Sequence, residues 1–479
     1  MAIDSILISK LHSLLGENRV ITHLDELIVF ECDGLTLHKQ MPDAVVLPKT
    51  TEEVSEIIKL CQTNHTPFLA RGSGTGLSGG AIAAEGGVII QMSLMNQILK
   101  IDYEDEIAVV QPGVINLNLT NEASPDGYHF APDPSSQKAC SIGGNVAENA
   151  GGPHTLKYGV TANHVLGLTV VMPSGDIVEL GGKIEEFTGY DLVGVFVGSE
   201  GTLGITTEIT VKLTRNPEGV KTFLATYNTI NDASNTVSKI IESGIIPAAM
   251  ELIDNLIIQA IESHLKAGFP TKADAILLIE IDGVKSTLTE EAKRIESICL
   301  SQNAVNFQEA ETMEERDLLW RGRKEAIGAL GKVTPAFYTN DGVIPRSKLP
   351  EILEFDLEIG KKYGLEVAHI CHAGDGNIHP IILYNPDNKN EIEHAIKISE
   401  AILKKCIELG GALTGEHGIG TEKLSSLGIM YSDNDQNQML KLRKVFNPTG
   451  LLNPGKIFPE GAKCGESRIN QTINKGGWI

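Results

Sequence analysis

The sequence predicts an α+β protein in which a strand-and-loop half precedes a half of alternating strands and helices. Two textures carry this expectation. From 81 to 215, short β-type runs (GVIIQMS, EIAVVQPG, GLTVVMPSG, GITTEITVKL) are separated by glycine-rich turns, with few helical windows. After Pro217 the order becomes strand KTFLATYN, a helix from Asn231 stopped by Gly244, strands AAMELID and AILLIEID, a helix over 288–302 and strand AVNFQEA. That βαββαβ order predicts a ferredoxin-like sheet covered on one face by helices.

The remaining elements follow from local pattern. MAIDSILISKLHSLL reads as a helical segment, and its early Asp4 and interrupted apolar pattern fit neither a signal nor a transit peptide. Residues 53–66 place Val54, Ile57, Ile58 and Cys61 on one helical face, and TPFLA follows as a buried strand. Later come helices over 312–330 and 348–364, strands AHICH and IHPIILYN, and a long helix over 390–409 ended by Gly410 and Gly411. FNPTGLLNPGKIFP reads as a proline-broken loop and GESRINQTINKGGWI as a polar tail.

Composition narrows the function classes. With 479 residues, 42% of them hydrophobic, there is room for two or three domains, each with a core. A net charge of −22 disfavours nucleic acid and anionic membrane surfaces as partners. The seven cysteines are scattered and form no C-x-x-C pair. This predicts reduced thiols in a cytoplasmic-type compartment and argues against an iron–sulfur cluster or zinc ribbon in this chain. No uncharged apolar run approaches the ~20 residues that span a bilayer, so membrane association is expected only through a partner.

RGSGTGLSGG, residues 71–80, carries five glycines. Gly74, Gly76 and Gly79 match G-x-G-x-x-G, but AIAAEGG follows where a dinucleotide-binding βαβ unit needs a helix, and VIIQMS ends without the ribose-binding acid. The bare backbone still lets successive N–H groups turn toward one anion, with Ser73, Thr75 and Ser78 adding hydroxyls. A pair of tight turns is the alternative, and the density of glycines and hydroxyls favours the phosphate cradle. SIGGNVAENAGGPHTLKYG (141–159) and GSEGTLGITTE (198–208) are bare in the same way, so one large cofactor touching three loops is expected.

These motifs, with PDPSS at 132–136, resemble the FAD-binding (PCMH-type) domain of vanillyl-alcohol oxidase type flavoproteins. The likeness lies with the branch of D-lactate dehydrogenase, D-2-hydroxyglutarate dehydrogenase and the related flavin-carrying part of glycolate oxidase, and it runs from about Asp25 to Phe458. Ala70 stands where the family has a leading proline. The resemblance implies an N-terminal helical segment (1–37), an FAD-binding domain (38–216), a substrate cap carrying a metal site (217–425) and a C-terminal segment returning to the FAD domain (426–479, tail from about 460). It implies that Arg71, Gly72, Ser73, Gly74, Thr75, Gly76, Leu77, Ser78 and Gly79 wrap the FAD pyrophosphate. Pro134, Ser136, Ser141, Gly143, Gly144, Asn145, Asn149 and Gly159 would line the flavin and ribityl chain, Glu200 and Ile205 would hold the adenosine side or the backbone beneath it, and Asn453 would be a contact on the returning loop. Lys456 is either a second contact there or a surface cation.

HICHAGDGNIHP places His372 and His379 about a turn containing Gly374 and Gly376, and TGEHGIG sets Glu416 beside His417. Two histidines and a glutamate make a zinc- or manganese-type set that leaves room for substrate, although spacing alone leaves a structural role for each histidine open. The resemblance implies His372, His379 and Glu416 as metal ligands and His417 as catalytic base, with the two ligand histidines also touching substrate. A 2-hydroxy acid chelating the metal would lose its hydroxyl proton to His417 as hydride passes to flavin N5. Arg323 of LLWRGRKEAIGAL would hold the substrate carboxylate, with Arg321 and Lys324 left to a solvated helix face. Ile327, Thr339 and Ile381 stand where hydroxyglutarate enzymes place polar groups, so glycolate or D-lactate is expected over 2-hydroxyglutarate. Electrons are expected to leave to a separate iron–sulfur subunit, quinone-linked carrier or electron-transfer flavoprotein. An oxygen-using oxidase and a non-catalytic assembly subunit remain as alternatives.

No histidine lies between Arg71 and Gly80, where some relatives attach their flavin, so the FAD is expected to be noncovalent. Acid precipitation of the purified protein should leave all flavin absorbance in the supernatant; yellow colour retained in the pellet would contradict this.

Overall fold

The computed structural model describes residues 3–185 and 188–459, so the expected polar tail and Cys464 lie outside the described residues. In the N-terminal half, β1 (Ala44–Val46), α1 (Thr51–Thr63), β2 (Phe68–Arg71) and β3 (Val88–Gln91) form a small α/β layer. Thr50 starts α1 by accepting from the Glu53 N–H at 3.2 Å, and the helix buries Val54, Ile57, Ile58 and Cys61 against the sheet. The strand order is Val20–Ile21, β1, β3, β2, with the β1–β3 and β3–β2 pairs parallel. A second sheet runs Ile98–Asp102, β4 (Ile107–Val110), β6 (Ile205–Lys212), β5 (Val165–Val171), Ile177–Gly181, all antiparallel. Between β4 and β5 lies α2 (Ile142–Glu148), a short helix inside the second glycine stretch.

The cap contains β7 (Gly219–Tyr227), α3 (Ile230–Glu242), β8 (Ala249–Asp254), α4 (Asn255–His264), β9 (Ala275–Gly283), α5 (Leu288–Ser301) and β10 (Asn306–Glu309). Then follow α6 (Met313–Lys324), α7 (Ala326–Leu330), β11 (Ala336–Thr339), α8 (Leu349–Tyr363), β12 (Val367–His372), β13 (Asn377–Tyr384) and α9 (Lys389–Glu408). The sheet order β10-β7-β9-β8 is the ferredoxin-like order fourth, first, third, second, and the edge strand β8 is extended by β12, β13 and β11. One expectation is corrected: helices cover both faces. α3, α5, α8 and α9 share one core with the sheet, while α4 and α7, with Trp320 of α6, pack on the other face. The sequence pattern predicts AAMELID followed directly by AILLIEID. The chain instead inserts α4, whose Ile257, Ile258 and Ile261 are buried and whose first turn is capped by the Asp254 carboxylate.

Strand alternation decides where the charged residues go. Phe223, Ala225, Tyr227, Met250, Leu252, Leu277, Ile279, Ile378 and Ile382 point into the four-helix core. Their neighbours of opposite parity, Thr222, Glu251, Glu280, His372 and His379, are buried on the face turned to the glycine-loop domain. There Glu280 accepts from Thr222 Oγ1 (2.6 Å), Trp320 Nε1 (2.6 Å) and both Nε and Nη2 of Arg316 (2.9 Å each). His154 from the glycine-loop domain bridges Glu280 (3.1 Å) and Asp133 (2.9 Å). Burial disfavours charge on each, but the partners prevail: Glu280 is held at about 2 and His154 is pushed up to about 10.

Glu280→Gln leaves Arg316 and the charged His154 short of a counter-ion and should cost about 3–5 kcal/mol, seen as a lower thermal midpoint at pH 7. Because the folded Glu280 titrates below the ordinary glutamate range, its contribution is present above that range and is lost as pH falls toward 2. The gap between wild type and variant should therefore narrow with acid; a constant gap would contradict the assignment.

Candidate active site

The first glycine loop leaves the end of β2 and crosses over the sheet. No backbone N–H from Ser73 to Gly80 has a partner among the described residues, although Ser78, Gly79 and Gly80 are buried. Gly74 and Gly79 hold φ of +68° and +74°, open to glycine at little cost. Arg71 braces the loop from within: its guanidinium donates to Cys32 O (2.8 Å) and Ala81 O (3.0 Å) and fills the place a Cβ at Gly74 would take. A Cβ at Gly72 would fall on Ser141 Oγ, so the first two bare stretches touch. The third closes against them, with a Cβ at Gly198 lying 3.2 Å from Asn149 Cβ. A run of free N–H donors at the meeting point of three bare loops fits the extended anionic FAD that the resemblance implies.

The other expected flavin contacts divide into two groups. Pro134 and Ser136 form a tight turn whose neighbour Asp133 is tied to His154 and Lys324. Ser141 caps α2 by accepting from the Gly144 N–H, and Gly143 packs on Pro112 at 2.5 Å from a would-be Cβ. The rest are committed to the scaffold. Asn145 holds Asn116 and Cys140, Asn149 turns left-handed and accepts from the Ala162 N–H (2.8 Å), and Gly159 (φ +83°) turns beside Asn163. Ile205 packs into the core of the small sheet. Glu200 accepts from the N–H groups of Ile419 and Gly420 at 2.7 Å each, on the loop that carries Glu416 and His417. Asn453 donates to Glu200 O (2.8 Å), and Lys456 is fully buried, donating to Ile82 O (2.6 Å), which removes the surface-cation alternative.

On the cap, β12 and β13 form a hairpin around residues 373–376, and His372 and His379 meet diagonally on one face of it, ring centroids 5.1 Å apart. Their Nε2 atoms lie 3.4 and 3.3 Å from Glu416 Oε1, and donor atoms of all three residues lie within 4.8 Å of one another. The outer nitrogens are taken: His372 Nδ1 faces Glu251 (2.9 Å) and His379 Nδ1 faces Asn340 O (3.3 Å). Glu416 Oε2 is buried without a partner. Inward nitrogens oriented by outer hydrogen bonds, beside a carboxylate with free capacity, fit a divalent metal. Burial works against charge on both His372 and Glu416, but Glu251 and Glu416 raise the first, and His372 and His379 lower the second.

His417 stacks on His379 at 5.1 Å and 8°, its Nε2 3.9 Å from Glu416 Oε1, and burial lowers its pKa to about 4. The loop carrying it has almost no regular structure, and beside the Glu200 contacts it is held by a second carboxylate. Asp341, fully buried, accepts from Thr414 Oγ1 (2.5 Å) and from the N–H groups of Gly415 (3.0 Å) and His417 (3.1 Å), with Lys423 Nζ at 3.2 Å. Arg323, also buried, donates from Nε to Glu251 at 2.5 Å, and its Nη2 lies 3.4 Å from His372 Nδ1. Arg321 is exposed and paired with Glu325, whereas Lys324 departs from the expected solvated face, donating to Gln137 at 2.6 Å across the domain seam. A cavity of about 160 Å³ opens between Gly151, Gly152 and Thr155 on one side and Asn377, Gly415 and Glu416 on the other. It brings the second glycine stretch face to face with the metal-type cluster.

Sequence reasoning missed Glu251, Asp341 and Lys423. Glu251 left a signal, an acid in the middle of the apolar strand AAMELID, while Asp341 in TNDG reads as an ordinary turn residue.

Known proteins place the chain in context. Residues 216–457 match the family described as FAD linked oxidases, C-terminal domain, and residues 42–181 match the FAD binding domain. Glycolate oxidase subunit GlcD of Escherichia coli K12 is 44% identical over 93% of this chain and 90% of the relative. The Bacillus subtilis protein of that name is 43% identical over 91% and 93%, and D-lactate dehydrogenase of Anaerostipes hadrus 33% over 89% and 92%. Among solved structures, p-cresol methylhydroxylase superposes with a TM-score of 0.80 at 18% identity, covering 94% of this chain and 96% of the other. That likeness speaks to the fold.

Glu251→Gln removes the charge that orients His372 and balances Arg323. Metal affinity of the FAD-loaded protein should fall roughly 10- to 100-fold with flavin content unchanged, read by metal titration and flavin absorbance; undiminished metal affinity would remove Glu251 from this role.

Proposed function

The chain belongs to the family of FAD-linked 2-hydroxyacid dehydrogenases, and on that basis we propose that it oxidises a small monocarboxylate, glycolate or D-lactate, to the 2-oxo acid. The observation that carries this reading is the cluster of His372, His379, Glu416 and His417 on the cap face opposite the glycine loops. FAD, when bound along those loops, supplies the hydride acceptor. A zinc- or manganese-type ion held by His372, His379 and Glu416 would lower the pKa of the substrate hydroxyl.

The chain's own residues do the remaining work. His417 is kept neutral by burial, so its Nε2, which faces Glu416, is free to take the hydroxyl proton. Asp341 fixes the backbone on both sides of Glu416, which keeps base and ligand in constant relation. Among the described residues Arg323 supplies a buried guanidinium beside the cluster, with Nε committed to Glu251 and Nη2 3.4 Å from His372 Nδ1, which leaves Nη1 for a carboxylate. Ile381 is buried among apolar side chains and Ile327 packs against the same cluster, so that region offers no cation to a second carboxylate. This favours a monocarboxylate over 2-hydroxyglutarate.

The acceptor follows from what the chain carries. With no C-x-x-C in the sequence, electrons would pass to a separate iron–sulfur subunit, quinone-linked carrier or electron-transfer flavoprotein. The word "subunit" in the names of the Escherichia coli and Bacillus relatives supports such an assembly. Among the described residues no helix is long and apolar enough to cross a membrane. A non-catalytic assembly role is disfavoured by the presence and convergence of all four site residues.

Anaerobic mixing with glycolate, D-lactate, L-lactate and D-2-hydroxyglutarate tests the reading. Glycolate or D-lactate should bleach the flavin, chelator should slow bleaching, and His417→Ala should slow it at least about 100-fold with FAD still bound. Bleaching by D-2-hydroxyglutarate alone would overturn the substrate assignment, normal bleaching in His417→Ala would remove it as base, and full-rate reoxidation in air would make the protein an oxidase.

A further inference from the structure

Two carboxylates that the proposed chemistry does not use meet at the joint between the domains. Glu148 ends α2, and its Oε2 is shut off from solvent without a hydrogen-bond partner. A Cβ at Gly80, on the first glycine loop, would lie 2.7 Å from Glu148 Oε1. A Cβ at Gly418, on the loop of Glu416 and His417, would fall on Glu148 Oε2 and lie 2.9 Å from Glu200 Oε1. Glu148 is therefore wedged between the two loops with Glu200 beside it. Bare glycine on both sides leaves it room.

The surrounding charges do not pair it. Lys456 Nζ is committed to Ile82 O (2.6 Å) and Asn453 Oδ1 (3.1 Å), and Lys423 Nζ to Asp341 O (3.0 Å) and Oδ2 (3.2 Å). Asp33, the third acid facing this spot, accepts from the Leu35 N–H (2.9 Å) and lies near Arg71. Glu200 differs from Glu148 in having donors, the N–H groups of Ile419 and Gly420. Two buried carboxylates that meet at Gly418, one with donors and one with none among the described residues, cannot both carry charge at low cost.

We propose that Glu148 and Glu200 hold a single proton between them, and that this proton keeps the first glycine loop closed on the catalytic loop. Burial and the charge of Glu200 raise Glu148 well above the ordinary glutamate range, whereas the backbone donors of Glu200 offset part of its burial, so the proton rests mainly on Glu148 while belonging to the pair. For an acid raised in the folded state, the stability it confers is complete below the unfolded value and is lost as pH rises through the folded one. The joint should loosen with alkali.

The test reads stability, not turnover, so it stands apart from the substrate assignment. Thermal midpoints of the FAD-loaded protein are compared from pH 5 to pH 9 for wild type, Glu148→Gln and Glu200→Gln. Glu148→Gln should match wild type at pH 5 and exceed it by roughly 2 °C or more at pH 9. Glu200→Gln should lie below wild type throughout, because an amide offers one acceptor oxygen to two N–H groups. A Glu148→Gln midpoint below wild type across the range, or a difference that does not change with pH, overturns the proposal. Hydrogen exchange on wild type supplies an arm that needs no variant. Protection of residues 418–420, corrected for intrinsic rates, should fall between pH 7 and pH 9, and constant protection also overturns it.

Discussion

Ionised side chains buried on one face of the cap sheet must find their counter-charges there, and most of the molecule's arrangement answers to that need. Glu280 finds Arg316 on its own domain and His154 on the other, and Glu251 finds Arg323 and His372. Removing such groups from water costs several kcal/mol per ion unless partners are close and correctly placed. The seam between the domains is therefore fixed in register by charge geometry as well as by apolar contact. Lys157 and Tyr158, which meet Asp282, extend the same seam.

The loop of Glu416 and His417 shows what this does for the candidate site. Residues 414–420 lack a helix or strand to hold them, yet carboxylates from two domains hold their backbone. Asp341 takes the N–H groups before and after Glu416, and Glu200 takes those of Ile419 and Gly420. Gly418 and Gly420 adopt φ of +85° and +52°, which lets the chain turn between the two acceptors. Side chains on a free loop would have to be ordered at each encounter; here Glu416 and His417 are held in place by the fold.

The glycine loops were legible because their signal is local. Five glycines in ten residues, with interleaved hydroxyls, expose backbone donors whatever the rest of the chain does, and the structure leaves the donors of 73–80 without partners among the described residues. The pair His372 and His379 was visible as spacing, but that their rings meet diagonally across a hairpin came from strand register, which spacing does not encode. Within the third bare stretch, Glu200 was visible too; its contacts belong to residues more than two hundred positions away.

The sequence by itself determined the αβ alternation of the cap, the bare loops, the charge balance and the residues capable of metal and acid–base chemistry, since each depends on composition or short-range periodicity. Tertiary structure alone decided which acids serve that chemistry and which serve the scaffold. Glu251, Asp341, Glu148 and Glu200 are of one chemical kind in the sequence. They differ only in the donors and cations that folding brings within about 3 Å, and buried electrostatics is governed by that distance.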